Sequence, residues 1–370
     1  MNLFFEFLQV AIGIRNGLSH IPTDSEWQQI LDISLKQSLA GLVFAGIERL
    51  PQEEWPPNSI KLEWIGIVTD IENMNILTTS VCCQLCRKLE KDGFKICVLK
   101  GQANYAYYPS YLLNRRSCGD IDIWVTPNGN GKHPVEKTLK YLEKEYGLTG
   151  LCWLHANISD KSGVPVEVHL RPSFMNAPIS NKRFLKCFEE IDDCVCQKKI
   201  EGAITLPAMK TKYDVIYQMN HIYRHLIDEG VGLRQIVDYY FLLMSDGGGV
   251  KDGVKHTIEY LGMKRFASAL MWVLHIVFAM PHEKMLYEPS EKDGRFLLDE
   301  IMMAGNFGHS DSRMTALEVE EGKLSYQVSK ALRRIKRNMR FFRSYPSEVF
   351  FEPYARIWHF AWKKGKMWRF

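Results

Sequence analysis

The sequence holds little that would cross a membrane. Its most apolar stretch, residues 267–280, is interrupted by His275 and is shorter than the roughly 20 residues that hydrocarbon requires, so it reads as a buried helix. The start, Met1-Asn2-Leu3-Phe4-Phe5-Glu6, lacks a cationic segment and its apolar run is broken by Glu6, which argues against a secretory signal and for a cytoplasmic chain. The nine cysteines are odd in number and scattered, as suits a reducing compartment. Cys83/Cys86 and Cys194/Cys196 have the spacing of two halves of a zinc site, but the first pair falls inside a helical stretch with no turn between its thiolates, and buried thiols are expected instead. Repeats and low-complexity segments are lacking, and Gly and Pro are near average usage, which excludes fibrous and disordered classes. A strong net charge is missing too, at +4 overall, yet residues 323–370 carry 13 Lys or Arg against Glu348 and Glu352. A mildly acidic body therefore bears one basic, aromatic tail.

What is present is 370 residues, 46% of them hydrophobic, enough for a substantial core and for two or three domains. The first ninety residues read as helices: 26–50, capped at Asp24-Ser25, and 62–91, ending at Gly93. The period then changes. Residues 94–99 form a short apolar run ending at Lys100-Gly101, and 119–125 alternate in the manner of a strand. A helix is expected from Pro134 to Gly147. The segments 151–159 and 164–170 flank Asp160-Lys161-Ser162-Gly163, a hairpin signature. From about Leu206 helices resume. The expected fold class is α+β, a small mixed or antiparallel sheet between two helical regions, with units at 1–92, 93–205, 206–322 and 323–370.

Alternate residues of a strand share a face, so Asp120 and Asp122 project together while Ile121, Ile123 and Val125 turn to the other side. In Val164-Pro165-Val166-Glu167-Val168-His169-Leu170 the valines and Leu170 turn inward, and Glu167 and His169 share the polar face. If the two strands are neighbours, three carboxylates converge, an arrangement a divalent cation would neutralise. Oxygen ligands without cysteine suit Mg²⁺ or Mn²⁺. Spacing alone says little, because Asp70-Ile71-Glu72 repeats it within a helix. A solvated polar sheet face is the competing reading.

The series Val98-Leu99-Lys100-Gly101, Tyr107-Tyr108-Pro109, Arg115-Arg116, Gly119-Asp120-Ile121-Asp122-Ile123-Trp124-Val125 and Val164-Pro165-Val166-Glu167-Val168-His169 resembles the uncharacterised bacterial nucleotidyltransferase family of the DNA polymerase beta-like superfamily. Residues 25–42, 220–226 and 233–238 agree with it, and the likeness covers about residues 25 to 245. The resemblance implies transfer of a nucleoside monophosphate from a nucleoside triphosphate to an acceptor hydroxyl. Asp120 and Asp122 match the paired Mg²⁺ ligands and Glu167 the third carboxylate, which could also serve as general base. Gly101 matches the glycine beside the phosphates; Gln102 replaces the small residue that the wider superfamily carries next to it. Lys100, Arg115 and Arg116 could supply the phosphate charge, and Arg234, four residues before Asp238, either forms a salt bridge or part of the nucleotide wall. His221 and His225 share the same spacing, which could bind zinc, but no acidic ligand motif follows and His221 is read as a hydrogen-bonded core or cleft residue.

The tail, with Lys330, Arg333, Arg334, Lys336, Arg337, Arg340 and Arg343 followed by Tyr354, Trp358, Trp362, Trp368 and Phe370, would suit nucleic acid, an anionic membrane surface, or docking onto the acidic body, the last being the preferred reading. An active enzyme is the favoured function. A catalytically silent binding or regulatory protein on the same fold is the alternative.

Overall fold

The computed structural model describes residues 2–129, 133–159, 161–245, 251–308 and 324–367. Asp160 of the expected hairpin turn, and Lys323, Trp368 and Phe370 of the tail, lie outside the described residues. No helix among the described residues is long and apolar enough to cross a membrane.

The leading helices are α1 (Leu3–Ala11), α2 (Asp24–Lys36), α3 (Ala40–Ile47) and α4 (Asn58–Lys91). The single helix expected over 26–50 is therefore two. Its cap is Thr23, whose hydroxyl accepts from the Glu26 backbone N–H while the Glu26 carboxylate accepts from the Thr23 N–H. The break falls at Ser38, whose φ is +54°. Buried Gln37 beside it donates to Ile301 O at 3.2 Å and accepts from Leu233 N at 2.9 Å. After the break, α3 lies on the chain at Arg115: a Cβ at Gly41 would stand 2.3 Å from Arg115 O.

One mixed sheet of seven strands runs β3-β4-β5-β2-β1-β7-β6. Its members are β1 (Phe94–Val98), β2 (Ile121–Pro127), β3 (Leu148–Leu151), β4 (His155–Ile158), β5 (Val166–His169), β6 (Val195–Glu201) and β7 (Ile204–Met209). At its centre β1 is antiparallel to β2 and β2 is parallel to β5, while β4 and β5 form the expected hairpin. The α-helix α5 (Pro134–Tyr146) follows β2 as anticipated; α6 (Pro178–Cys187) and the short α7 (Ile191–Cys194) precede β6. Helices resume at Thr211, later than residue 206, because β7 occupies that stretch as a neighbour of β1.

The remaining helices are α8 (Thr211–Asp228), α9 (Leu233–Ser245), α10 (Lys251–Tyr260), α11 (Lys264–Phe278), α12 (Glu291–Ala304), α13 (Leu324–Phe342) and α14 (Pro346–Met367). The apolar stretch at 267–280, within α11 and just past it, is buried along one side, with Ile276 and Ala279 exposed. The tail packs on the body through buried Phe341, Tyr345 and Val349, with Arg337 donating to Leu226 O and Arg340 paired to Glu300. Its outer face leaves Leu332, Ile335, Met339 and Phe342 exposed at three- and four-residue steps.

Candidate active site

The site forms where three central strands end. β1 passes through Leu99 to Lys100, and Leu99 N–H donates to Asp122 O at 2.9 Å. Gly101 then takes φ +63°, a left-handed value that suits glycine, and turns the chain into a 3₁₀ segment from Gly101 to Tyr107. On the other side of β2, the parallel register sets Asp122 opposite Glu167. Asp120 precedes the strand by one residue. Oxygen atoms of Asp120, Asp122 and Glu167 thereby lie within 4.8 Å of one another.

Two cationic or protonatable partners reach this cluster. Lys100 Nζ stands 3.4 Å from Asp120 Oδ1 and forms a close ion pair with Asp122 Oδ2. His169 Nε2 lies 3.0 Å from Asp122 Oδ1 and 3.7 Å from Glu167 Oε2. Burial opposes the charged form of Asp122, but the Lys100 ammonium and the His169 hydrogen bond outweigh it and hold the carboxyl below its ordinary range. The same contest resolves in favour of charge on Lys100, whose pKa is raised by Asp122 and Asp120, and on His169, raised by its bonds to Asp122 and Glu167. Glu167 is also held low, burial being outweighed chiefly by His169.

A narrow cleft of about 20 Å³ adjoins the carboxylates. Lys100, Gly101 and Asp120 line one wall; Arg116, His221 and Arg234 line others. Arg116 is gripped by Asp238, with Nε and Nη2 each 2.7 Å from a carboxylate oxygen, and Tyr108 donates to the same Asp238 at 2.7 Å. Asp238 is thus committed to Arg116, while Arg234 Nη1 donates to Ser117 O at 3.0 Å. Burial and the neighbouring Arg116 push the Arg234 pKa down, so an anion in the cleft would relieve an existing repulsion. His221 is buried, and desolvation and His225 keep it below its ordinary pKa.

Four of the six expected nucleotide contacts, Lys100, Gly101, Arg116 and Arg234, line this cleft. Arg115 does not: its guanidinium turns away to Glu48 at 3.0 Å and Glu72 at 3.3 Å. Gln102 does not either, being fully buried with its amide 3.5 Å from Cys118 Sγ. The sequence reading missed His155 altogether. It sits on β4 opposite His169, with Nδ1 3.2 Å from Glu167 Oε2. Strand alternation puts His169 on the polar face, and an antiparallel partner strand that can bring a second imidazole beside it is the available signal.

Residues 23–279 match the family described as uncharacterised nucleotidyltransferase. The chain belongs to this family. The family match spans α2 to the end of α11 and so contains the whole carboxylate cluster and both walls of the cleft. No curated protein matches this nucleotidyltransferase-family chain. Among solved structures, an antigenic nucleotidyltransferase-like protein from Paracoccidioides brasiliensis aligns with 59% of this chain and 96% of its own at 11% identity. Its TM-score of 0.32 is too low to map residues.

Proposed function

We propose that this family member is a metal-dependent enzyme of the polymerase beta-like superfamily, acting in a bacterial cytoplasm, that transfers a nucleoside monophosphate from a nucleoside triphosphate to an acceptor hydroxyl. The observation that carries the reading is the meeting of Asp120, Asp122 and Glu167 beside a cleft lined by Lys100, Arg116 and Arg234. The donor set fits Mg²⁺ or Mn²⁺: it is all oxygen, and buried Asp122 Oδ2 is met by the Lys100 ammonium alone, which an ion would replace. Held by those three carboxylates, the ion would lower the pKa of an acceptor hydroxyl and offset charge on the phosphates.

The chain's own groups have separable roles. Glu167 is half-buried, faces solvent more than Asp122 does, and would take the acceptor's proton. Lys100 and Arg234 present cations to the phosphates. Arg116 is fixed by Asp238 and so offers a positioned guanidinium rather than a mobile one. His169 holds Asp122 and Glu167 in mutual orientation.

The catalytically silent reading rests on one observation, that Lys100 already neutralises the carboxylates. Incubation with each labelled nucleoside triphosphate and Mg²⁺ separates the two. Pyrophosphate release by the wild type, reduced by about 10²-fold or more in Asp122→Asn, is the expected result. Nucleotide-dependent melting equal in both proteins, with no pyrophosphate, would favour the silent protein.

The partner proposed for the tail is an anionic lipid surface. The apolar stripe of α13 is flanked by exposed Lys336 and Arg343, a combination that lies flat on charged membranes. Co-sedimentation with vesicles should rise with phosphatidylserine content and fall with salt; retention indifferent to both would refute it.

A further inference from the structure

A second group of donor atoms adjoins the carboxylates, and it differs from them in kind. β4 runs antiparallel to β5, pairing His155 with His169 and Asn157 with Glu167, so both imidazoles and the Glu167 carboxylate project from one face. Ligand atoms of His155, Glu167 and His169 lie within 4.8 Å of one another. His155 Nδ1 is 3.2 Å from Glu167 Oε2 yet off hydrogen-bond geometry, and His169 Nε2 is 3.7 Å from the same oxygen. Ligands bound at about 2.0–2.2 Å to one ion stand roughly 3.0–3.6 Å apart in octahedral or tetrahedral arrangement. The two separations are close to what a shared ion imposes.

We propose that His155, Glu167 and His169 form a second cation site, selective for a borderline transition metal such as Zn²⁺, Co²⁺ or Mn²⁺ over Mg²⁺. Two imidazole nitrogens and one carboxylate are poor ligands for Mg²⁺, which favours oxygen and keeps its waters, and good ones for Zn²⁺ or Co²⁺. Access is open on one side, the His155 and Glu167 side chains being 22% and 27% exposed, while His169 is buried and its Nε2, 3.0 Å from Asp122 Oδ1 in the metal-free protein, would give up its proton and that bond to ligate the ion. Glu167 belongs to both donor sets. The patch therefore has an oxygen-only end at Asp120 and a nitrogen-bearing end at His155. The nitrogen-bearing site does not depend on nucleotidyl transfer, and its test uses metal alone.

The full-length protein, stripped with chelator, is titrated with Co²⁺ and followed by its visible absorption, then by calorimetry with Mg²⁺. The wild type should take up Co²⁺ with an absorption band that persists when Mg²⁺ is added in excess. His155→Ala should weaken Co²⁺ binding about tenfold or more with Mg²⁺ affinity and melting temperature unchanged, and His155→Gln should do the same if the alanine variant is unstable. Asp120→Asn should show the reverse, losing Mg²⁺ and keeping Co²⁺. Equal Co²⁺ affinity in wild type and both His155 variants, or displacement of Co²⁺ by Mg²⁺, would overturn the site. Absent pyrophosphate release with Co²⁺ binding intact would sink the transferase reading and leave this one standing.

Discussion

Lys100 is the residue whose chemistry most constrains the site. Its ammonium sits against Asp120 and Asp122 and supplies the positive charge that three neighbouring carboxylates require. A divalent cation there would compete with it for the same oxygens. Lys100→Met should therefore lower the stability of the metal-free protein by about 3 kcal/mol, since carboxylates are left without their partner. The same variant should gain more melting temperature from Mg²⁺ than the wild type does, because binding no longer displaces a cation. Thermal melts with and without Mg²⁺ measure both, and a Mg²⁺ response no larger than the wild type's would contradict the competition. At this scale the sequence was informative where a strand's two-residue period decides the outcome: Asp120, Asp122 and Glu167 meet as alternation requires. It was uninformative where direction depends on irregular backbone. Arg115 ends a 3₁₀ segment and Arg116 is extended, so adjacent arginines of equal charge serve an outer ion pair and the cleft respectively.

Among elements, the wall of the cleft depends on a buried tie between the approach to β2 and helix α9. Arg116 and Asp238 are both under one-tenth exposed and bonded through two parallel contacts, and Tyr108 completes the acceptor's coordination. Removing either partner strands a buried charge. Arg116→Ala and Asp238→Ala should each cost about 3–5 kcal/mol, and the double variant should cost clearly less than their sum. Denaturant unfolding of the four proteins gives the coupling directly; additive losses would mean that the pair is not energetically linked. The helix break between α2 and α3 follows a similar principle. Hydrophobic periodicity runs through 26–50 without interruption, so it predicts one helix, whereas the break is fixed by Gln37 meeting Ile301 and Leu233, contacts separated by about two hundred positions or more. Strand β6 was likewise obscure, since Gln197, Lys198 and Lys199 give it no apolar run and its register comes from β7.

Across the whole molecule, the basic tail is held by an acid. Glu348 at the start of α14 accepts backbone N–H groups of Asn176 at 2.6 Å and Ala177 at 3.2 Å, joining the tail to the segment between β5 and α6. Burial raises its pKa from 4.5 to about 7, exceeding the opposite pull of the two N–H donors, and Asp228 adds to the rise. The folded protein thus binds this proton more tightly than the unfolded chain. The stabilisation is fully present below the ordinary value and is lost as pH rises through about 7, with an upper magnitude of about 3 kcal/mol. Melting temperature and proteolysis of the α13–α14 region, followed from pH 5 to 8, should show the tail loosening toward the alkaline end of that interval. Glu348→Gln keeps the shape without the ionisation, so its profile should be flatter over the same range. An unchanged slope in that variant would assign the pH dependence to another group and leave Glu348 as an ordinary ionised acceptor.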